Sequence, residues 1–320
     1  QYALTQILPC FDALKSQFNQ PRIAVVIGTS TSGILEGEQA RKTLLETGNL
    51  PESFHYSAQE MYAPAQFIAK KVQANGPVYS VSTACSSSAK ALASGKMLIE
   101  SDIADIVICG GVDTLSQLPI NGFKALESTA KKYCNPFGEH RDGINIGEGA
   151  ALFVMSACAG NIQLTSAGES SDAYHISAPQ PEGVGAQASM TQALNYADIQ
   201  AEQLSYLNLH GTGTPKNDEM EAQAVFNLCG DSVLASSTKR LTGHALGAAG
   251  AIEAGLCWLV LNSKTRDYLI PENKNNGTVD PTIAPLNLSA GQQVENMSFC
   301  LSNSFAFGGS NISLILGKSF

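Results

Sequence analysis

"VSTACSSSAKALASGKML", residues 81–98, places one cysteine between two different sequence patterns. The apolar run at residues 78–83 predicts a strand, and the run of small residues after it predicts a helix. Cys85 therefore precedes a helix N-terminus, where unpaired backbone N–H groups and the helix dipole favour an anion. We expect this position to lower the pKa of the Cys85 thiol and make it a nucleophile. A buried, inert cysteine is the alternative interpretation.

Short apolar strands alternate with helical stretches on both sides of this segment. "RIAVVIGTS" and "DIVICGGVD" predict strands before residue 160, and "LSYLNLHGTGTP" and "NISLILG" predict strands after it. Nearly continuous apolar strands indicate sheets covered on both faces, and the alternation with helices indicates an α/β fold. The pattern recurs, so we predict two similar halves, residues 1–160 and residues 161–320.

Composition and charge exclude several function classes. The 320 residues include 19 Lys and Arg against 28 Asp and Glu, which gives a net charge of −9. We expect no general nucleic-acid binding, because that function needs a basic surface to neutralise phosphates. No apolar run reaches the roughly 18 residues that cross a bilayer, and we see no signal-peptide pattern. The eight cysteines contain no CxxC pair, so we expect no zinc or redox site and a reducing, cytoplasmic location.

"YLNLHGTGTPKND" places His210 at the end of an apolar strand. A histidine there can face a cavity above the sheet, and the nearby hydroxyls of Thr212 and Thr214 could hydrogen-bond a polar ligand. A core histidine with satisfied hydrogen bonds is the commoner outcome for any single histidine, so this motif leaves both interpretations open.

"SSTKRLTGHALGAAGAIEA" places His244 where a glycine-flanked loop enters a helix of small residues. Lys239 and Glu253 could form a buried ion pair that stiffens this loop, whereas a solvated pair would contribute little. The later segment "LSNSFAFGGSN", residues 301–311, could direct backbone N–H groups into a cavity and hold an oxyanion. Tight helix packing and an ordinary β-turn are the alternatives.

The combination of these motifs is more specific than any one of them. "TACSSS", "HGTGTPKND", "KRLTGHALGAAGAIEA" and "NSFAFGGSN" occur in one order, and over nearly the whole chain they resemble the β-ketoacyl-acyl-carrier-protein synthases of fatty-acid and polyketide synthesis. "RDGINIGEGAAL" and "SSDAYHISAP" also resemble segments of this family. The resemblance implies a thiolase-like fold with two pseudo-duplicated halves, in which mixed five-stranded sheets are layered between helices as α-β-α-β-α.

The resemblance also implies a reaction, the decarboxylative Claisen condensation of an acyl group on Cys85 with malonyl-acyl-carrier protein. Thiolases carry a second cysteine in the terminal glycine-rich loop, and this loop has none. Synthases that start from coenzyme A thioesters have asparagine where this chain has His244. The chain therefore resembles an elongating synthase. A non-condensing acyltransferase of the thiolase fold and an inactive scaffold or chain-length-factor-like subunit are the two alternatives.

The resemblance assigns roles to the candidate site residues. Catalytic roles are implied for Cys85, His210, His244 and Lys239, a supporting role for Glu253, the oxyanion N–H and acyl gate for Phe307, and pantetheine binding for Thr212 and Thr214. No metal and no redox cofactor is implied, because the substrates arrive on the phosphopantetheine of an acyl carrier protein.

The implied partners are an acyl carrier protein and a second ketosynthase-like subunit. Carrier proteins are acidic, and Lys124 is our candidate for a contact with them, ahead of Lys131 and Lys132. The resemblance implies either a homodimer or a heterodimer with a chain-length-factor-like homologue, as in aryl-polyene clusters. Family members have a further N-terminal segment before the strand that resembles "RIAVVIGTS", so we expect residues of the protein to precede Gln1.

Overall fold

The computed structural model describes residues 1–158, 160–264 and 267–319, which form two large β-sheets, a small two-stranded sheet and the helices around them. The helices are α1 (Tyr2–Lys15), α2 (Ile34–Thr47), α3 (Ala63–Val72), α4 (Ser87–Glu100), α5 (Gln117–Ala125), α6 (Val184–Ala197), α7 (Pro215–Cys229), α8 (Lys239–Thr242) and α9 (Ala249–Leu261). The strands are β1 (Ile23–Gly28), β2 (Val78–Val81), β3 (Ile106–Asp113), β4 (Gly149–Ser156), β5 (Ile162–Ser171), β6 (Leu204–Asn208), β7 (Leu234–Ser236), β8 (Tyr268–Leu269), β9 (Asn287–Leu288), β10 (Gln293–Val294), β11 (Phe299–Ala306) and β12 (Ser310–Lys318).

The first sheet has the strand order β2-β1-β3-β4 within the described residues. The first three of these strands are parallel, and β4 runs antiparallel to β3. Parallel strands direct their carboxyl ends to one edge of a sheet, which is where ligands bind in open α/β folds. Cys85 follows the carboxyl end of β2 and therefore lies at this edge.

The second sheet has the order β5-β12-β11-β6-β7-β9, so it is also mixed. The strands β6, β7 and β9 are parallel to one another, and β12 pairs antiparallel with both β11 and β5. The predicted count of five strands in each sheet is therefore wrong, because the described residues form four and six. The two-residue strand β9 carries no periodic pattern that sequence could reveal.

Helices α4 and α9 pack against each other between the two sheets. Their small residues allow this, since a side chain at Gly250 would meet Ala89 of α4 at 2.8 Å. Gly28 of β1 has the same function, because a Cβ there would lie 2.3 Å from the Cα of Ser88. The N-terminus of α4, and with it Cys85, is thereby held close to the first sheet.

The remaining long helices cover the outer faces of the sheets. α1 and α3 pack on the first sheet, and α6 packs on the second sheet next to α7. Three apolar clusters fill the spaces between the layers, one of them on both sides of the central helices, so the order α-β-α-β-α is confirmed. Each sheet takes its strands from one side of residue 160, while the division into two domains stays a prediction. In the described ranges, no helix combines the length and the apolar character needed to cross a membrane.

Candidate active site

Cys85 lies in the short connection between β2 and α4 and is 6% exposed. Ala84 before it has a φ of +53°, a left-handed conformation that turns the chain sharply into the helix. The Ser87 hydroxyl donates to the Ala84 carbonyl oxygen at 2.6 Å, and the Ser88 hydroxyl accepts the N–H of Ala251 at 2.8 Å. These serines therefore fix the turn that carries the thiol, and they fasten it to α9.

His210 and His244 converge on the sulfur of Cys85. The Nε2 atom of His244 is 3.0 Å from Sγ. One ring nitrogen of each histidine and the sulfur all lie within 4.8 Å of one another. The two rings meet edge to face with their centroids 5.4 Å apart, and both are almost fully buried. Two loops that are distant in sequence thus bring both predicted histidines to the predicted nucleophile.

Lys239 fixes the protonation pattern of the His210 ring. Its Nζ atom donates to the His210 carbonyl oxygen at 2.5 Å and lies 3.5 Å from the ring Nδ1. An ammonium group can only donate, so Nδ1 is the acceptor and the ring proton of neutral His210 is on Nε2. Glu253 forms an ion pair with Lys239, and both side chains are almost fully buried. The pair lies under His210 and stiffens that loop.

Glu221 of α7 is a site residue that sequence reasoning missed. Its two carboxylate oxygens accept the backbone N–H groups of His210 and Gly211, each at 2.7 Å. The Asn303 amide donates to the same carboxylate at 3.3 Å. Burial raises the pKa of Glu221 to about 7. Glu221 is four residues before buried Val225, so helical periodicity could have placed it on the buried face, although not beside His210.

Burial raises the pKa of the Cys85 thiol to about 11, against smaller lowering effects of Lys239 and of the backbone N–H groups of Phe307 and Cys85. The expected lowered pKa is therefore wrong, because desolvation of a buried thiolate outweighs the helix N-terminus. Burial, with the nearby Lys239 charge, also lowers the pKa of His210 and of His244 well below 6.5. At neutral pH the resting site holds a thiol and two neutral imidazoles.

Phe307 begins the turn between β11 and β12. Gly308 and Gly309 follow it with φ values of +82° and +76°, a left-handed pair that glycine adopts without strain. The N–H of Phe307 and the N–H of Cys85 itself both lower the pKa of the Cys85 thiol, although by less than burial raises it. Two backbone donors that converge on a nucleophile can stabilise the oxyanion formed when the nucleophile attacks a thioester.

Two cavities meet at Cys85. The first has a volume of about 320 Å³ and contains both histidines, and the second has a volume of about 310 Å³. The apolar lining of the second cavity comes from Ile34, Leu118, Pro119 and Leu246. Phe123 and Phe307 line both cavities, and their ring centroids are 5.6 Å apart. This pair of rings separates a mostly apolar chamber from the chamber that opens toward the histidines.

The predicted binding residues have different positions. Thr212 and Thr214 line the first cavity, and their hydroxyls hydrogen-bond each other at 2.9 Å. Lys124 on α5 is exposed and lies outside the wall of either cavity, although its neighbour Phe123 lines both. The threonines are thus placed to contact a ligand that approaches Cys85, whereas Lys124 can only contact a partner at the surface.

Cys85, His210 and His244 are also the only group of three potential metal ligands that the described part of the chain brings together. Sulfur and imidazole nitrogen are ligands that zinc accepts. The same atoms are equally suited to nucleophilic catalysis, in which a base sits within hydrogen-bond reach of a thiol. Geometry alone leaves both chemistries available to this trio.

Comparisons with known proteins show the family to which this chain belongs. Residues 12–158 match the family model "Beta-ketoacyl synthase, N-terminal domain", and residues 162–272 match "Beta-ketoacyl synthase, C-terminal domain". The chain belongs to the β-ketoacyl synthase family. The family resemblance that the motifs carry is confirmed.

Named relatives agree with this membership. The ketoacyl synthase is 33% identical to 3-oxoacyl-[acyl-carrier-protein] synthase 2 of Coxiella burnetii, over 95% of this chain and 77% of that protein. It is 32% identical to the enzyme of the same name from Staphylococcus aureus strain COL, over 93% of this chain and 75% of the relative. It is therefore a condensing enzyme of the acyltransferase class.

Solved structures show the same fold. The ketosynthase of Xenorhabdus doucetiae, solved in complex with its chain length factor, matches with a TM-score of 0.93 and 44% identity, over 99% of this chain and 79% of that one. A β-ketoacyl synthase from Burkholderia phymatum matches with a TM-score of 0.87 and 28% identity, over 100% and 81% of the two chains. The predicted thiolase-like fold is confirmed by these ketosynthase structures.

Proposed function

We propose that Cys85 carries the growing acyl group and that His210 and His244 stabilise the enolate which extends it. The observation that carries this proposal is the buried trio itself, with His244 Nε2 3.0 Å from the sulfur and His210 beside it. Both histidines are neutral at pH 7, so each can donate an N–H to a developing negative charge. The acyl group lies in the apolar second cavity.

The first step transfers the acyl group from the carrier's thiol to the enzyme. The Cys85 thiol gives its proton to His244 Nε2, and the sulfur attacks the thioester carbon. The N–H groups of Cys85 and Phe307 hold the oxyanion of the tetrahedral intermediate. Its collapse breaks the carbon–sulfur bond of the substrate, and the departing pantetheine thiolate takes the proton back from His244. Cys85 then carries the acyl thioester.

The second step forms the carbon–carbon bond. A malonyl thioester loses carbon dioxide, and the electron pair of the broken bond enters an enolate whose oxygen accepts N–H bonds from both histidines. The enolate carbon attacks the acyl-Cys85 carbonyl, and the cysteine sulfur leaves as a thiolate, which takes up a proton from solvent to restore the resting thiol. The product is a β-ketoacyl thioester. Lys239, with Glu253, keeps the His210 proton on Nε2, while Thr212 and Thr214 bind the pantetheine arm and Phe307 gates the acyl cavity.

This reaction needs neither a metal nor a redox cofactor, because N–H groups of the protein stabilise both the oxyanion of the first step and the enolate of the second. We therefore expect condensation to survive dialysis against EDTA at unchanged rate. A loss of activity that zinc restores would instead assign Cys85 and the histidines to a metal centre. Intact-mass detection of acyl-Cys85 in the dialysed enzyme provides the second readout.

An acyl carrier protein and a second ketosynthase-like subunit are the proposed partners. Support comes from solved ketosynthases that contain a chain length factor or an acyl-carrier protein in their complexes. The strand β2 is an edge strand whose open side can pair with another subunit. We propose a heterodimer with a chain-length-factor-like homologue, of the kind found in aryl-polyene clusters, with the homodimer as the alternative. Unpaired cysteines throughout the described residues favour a cytoplasmic location.

Product analysis tests the proposal most directly. The enzyme is supplied with malonyl-carrier protein and a panel of acyl-carrier primers, with and without the candidate partner subunit. We expect carbon dioxide release and products two carbons longer than the primer, both abolished in Cys85→Ala. Acyl transfer without carbon dioxide release would identify a non-condensing acyltransferase. Failure of a cerulenin-type electrophile to label Cys85 would identify an inactive scaffold.

A further inference from the structure

One short segment lines the first cavity from its deepest point to its mouth. His210, Thr212, Thr214 and Lys216 occupy alternate positions along it, and all four line the cavity. Gly211 and Gly213, which separate the first three of these residues, have φ values of +34° and +77°, and Lys216 lies in the first turn of α7. The segment therefore presents an imidazole, two hydroxyls and an ammonium group to the same channel, in that order.

Exposure increases steadily along this segment. His210 is 1% exposed and Thr212 is 6% exposed, whereas Thr214 is half-buried and Lys216 is exposed. Six peptide bonds separate His210 from Lys216, so the two residues lie at most about 20 Å apart. A phosphopantetheine arm is a linear chain of similar reach, with a thiol at one end, amides along its length and a phosphate at the other.

The charges around the cavity mouth make Lys216 distinctive. Glu127, Asp142 and Asp172 also line the cavity, so the wall is otherwise acidic. Asp172 already accepts hydrogen bonds from Asn311 at 2.7 Å and from a backbone N–H at 3.1 Å, and Asp142 accepts a backbone N–H at 3.1 Å. Lys216 is the only lysine or arginine in the wall among the residues that the structure describes.

Lys216 is free to bind an anion. No carboxylate among the described residues forms an ion pair with it. A phosphate that enters between the three acidic side chains would be repelled unless a cation met it there. The ammonium group of Lys216, at the exposed end of the segment 210–216, supplies that cation.

We infer that Lys216 binds the phosphate of the phosphopantetheine arm while Thr212 and Thr214 contact its amides and the thioester reaches Cys85. This inference rests on the proposed function, because it assumes that a phosphopantetheine thioester is the substrate. The same phosphate occurs in carrier proteins and in coenzyme A, and we assign it to the carrier. Lys124, which lies outside the cavity wall, contacts at most the protein surface of the carrier.

Malonyl decarboxylation with graded substrates tests the inference. Malonyl-phosphopantetheine and malonyl-pantetheine differ only in the phosphate, and malonyl-carrier protein and malonyl-coenzyme A present the two sources. For Lys216→Gln we expect the KM for malonyl-phosphopantetheine and for malonyl-carrier protein to rise about fivefold, the effect of one exposed ion pair. The KM for malonyl-pantetheine should not change. Lys216→Arg should retain the wild-type values, and the exposed Lys42→Gln serves as the matched control.

Each other outcome has a definite meaning. An equal rise in KM for malonyl-pantetheine, or no rise for malonyl-phosphopantetheine, overturns the role of Lys216 in phosphate binding. A rise confined to malonyl-coenzyme A overturns the assignment to a carrier arm. If the wild-type enzyme releases no carbon dioxide from any of the four substrates, the proposed function itself fails. Wild-type activity with an unaffected Lys216→Gln variant rejects only the present inference.

Discussion

The two active-site histidines have similar burial but very different surroundings. His210 is held from below by Lys239, whose ammonium group contacts both its carbonyl oxygen and its Nδ1, and Glu221 holds its backbone N–H. His244 contacts the Cys85 sulfur through Nε2, but its buried Nδ1 has no hydrogen-bond partner among the described residues. The chain fixes the proton position of one imidazole and leaves that of the other free.

In the proposed mechanism, this difference corresponds to two chemical tasks. A histidine that only donates to an enolate needs its proton permanently on the nitrogen that faces the substrate, as on His210. A histidine that first accepts the thiol proton and later donates to the enolate must change its tautomer. A neighbour that locked Nδ1 of His244 would prevent this change. The mechanism therefore predicts that variants around the two rings affect different steps.

Removal of the Lys239 ammonium group should have the largest effect. Lys239→Ala leaves the Glu253 carboxylate buried without a partner, which costs about 3–5 kcal/mol of unfolding free energy. Urea unfolding measures this loss, and Lys42→Ala, at an exposed pair with Glu46, should lose less than about 1 kcal/mol.

A double variant separates stability from catalysis. Lys239→Met with Glu253→Leu removes both charges, so it should recover most of the unfolding free energy. It should not recover condensation, because His210 loses the donor that holds its tautomer. Full activity in a stably folded double variant would show that Lys239 is only a structural residue.

Replacement of the histidines themselves should separate the two steps. His210→Ala should lower malonyl decarboxylation about 10²–10³-fold, the effect of losing one preorganised donor, while acyl transfer to Cys85 changes little. His244→Ala should slow both steps, because it removes the thiol's proton acceptor and an enolate donor. Stopped-flow acylation and carbon dioxide release measure them separately. Identical step profiles for the two variants would contradict the assigned division of roles.

Glu221 contacts the backbone at His210 and not at His244, so its replacement should have a smaller effect than replacement of Lys239 or of either histidine. In Glu221→Gln one backbone N–H of His210 or Gly211 faces an amide donor instead of an oxygen, which costs about 1–3 kcal/mol. The raised pKa of Glu221 stabilises the wild-type fold fully below about pH 4.5, and this contribution is lost as pH rises through about 7.

Unfolding measurements at pH 5 and pH 8 test this pH dependence. The difference in unfolding free energy between wild type and Glu221→Gln should be larger at pH 5, because the variant lacks the titrating group. Glu46→Gln, a substitution on the exposed face of α2, should show no such change. If the difference in unfolding free energy between wild type and Glu221→Gln is the same at both pH values, Glu221 is not the group that causes the pH dependence.

The sequence could reveal the chemically active atoms but not their environment. Cys85, His210, Lys239 and His244 stand in motifs that each leave an alternative open, and only the family resemblance of the combined motifs identified them without coordinates. Glu221 could not, because its importance lies in two backbone N–H groups that only the packing of α7 against the β6 loop brings to it. The sign of the Cys85 pKa shift also depends on tertiary burial, which outweighs the local helix N-terminus.

The fold shows the same division between local and non-local information. The strands with long apolar runs, such as β1, β3 and β12, could be predicted from their patterns. The number of strands in each sheet could not, because β9 has only two residues and joins the sheet through contacts with β7. Lys216 could not be identified from the sequence either, because only its place in the cavity wall distinguishes it from other exposed lysines.

The protonation state of Cys85 gives the smallest contrast between variants. With a thiol pKa of about 11 and neutral histidines, the thiolate fraction and the alkylation rate by iodoacetamide should rise about tenfold per pH unit from pH 6 to pH 9. His244→Ala should keep this slope, because a neutral imidazole does not change how the thiolate fraction depends on pH. A thiolate–imidazolium pair would instead give a rate independent of pH near neutrality, and that rate would collapse in His244→Ala. Peptide mass spectrometry distinguishes Cys85 from the exposed Cys10 and Cys158. An alkylation rate of Cys85 that does not change with pH would therefore show that the resting enzyme already holds a thiolate. In that case the first step would need no proton transfer to His244.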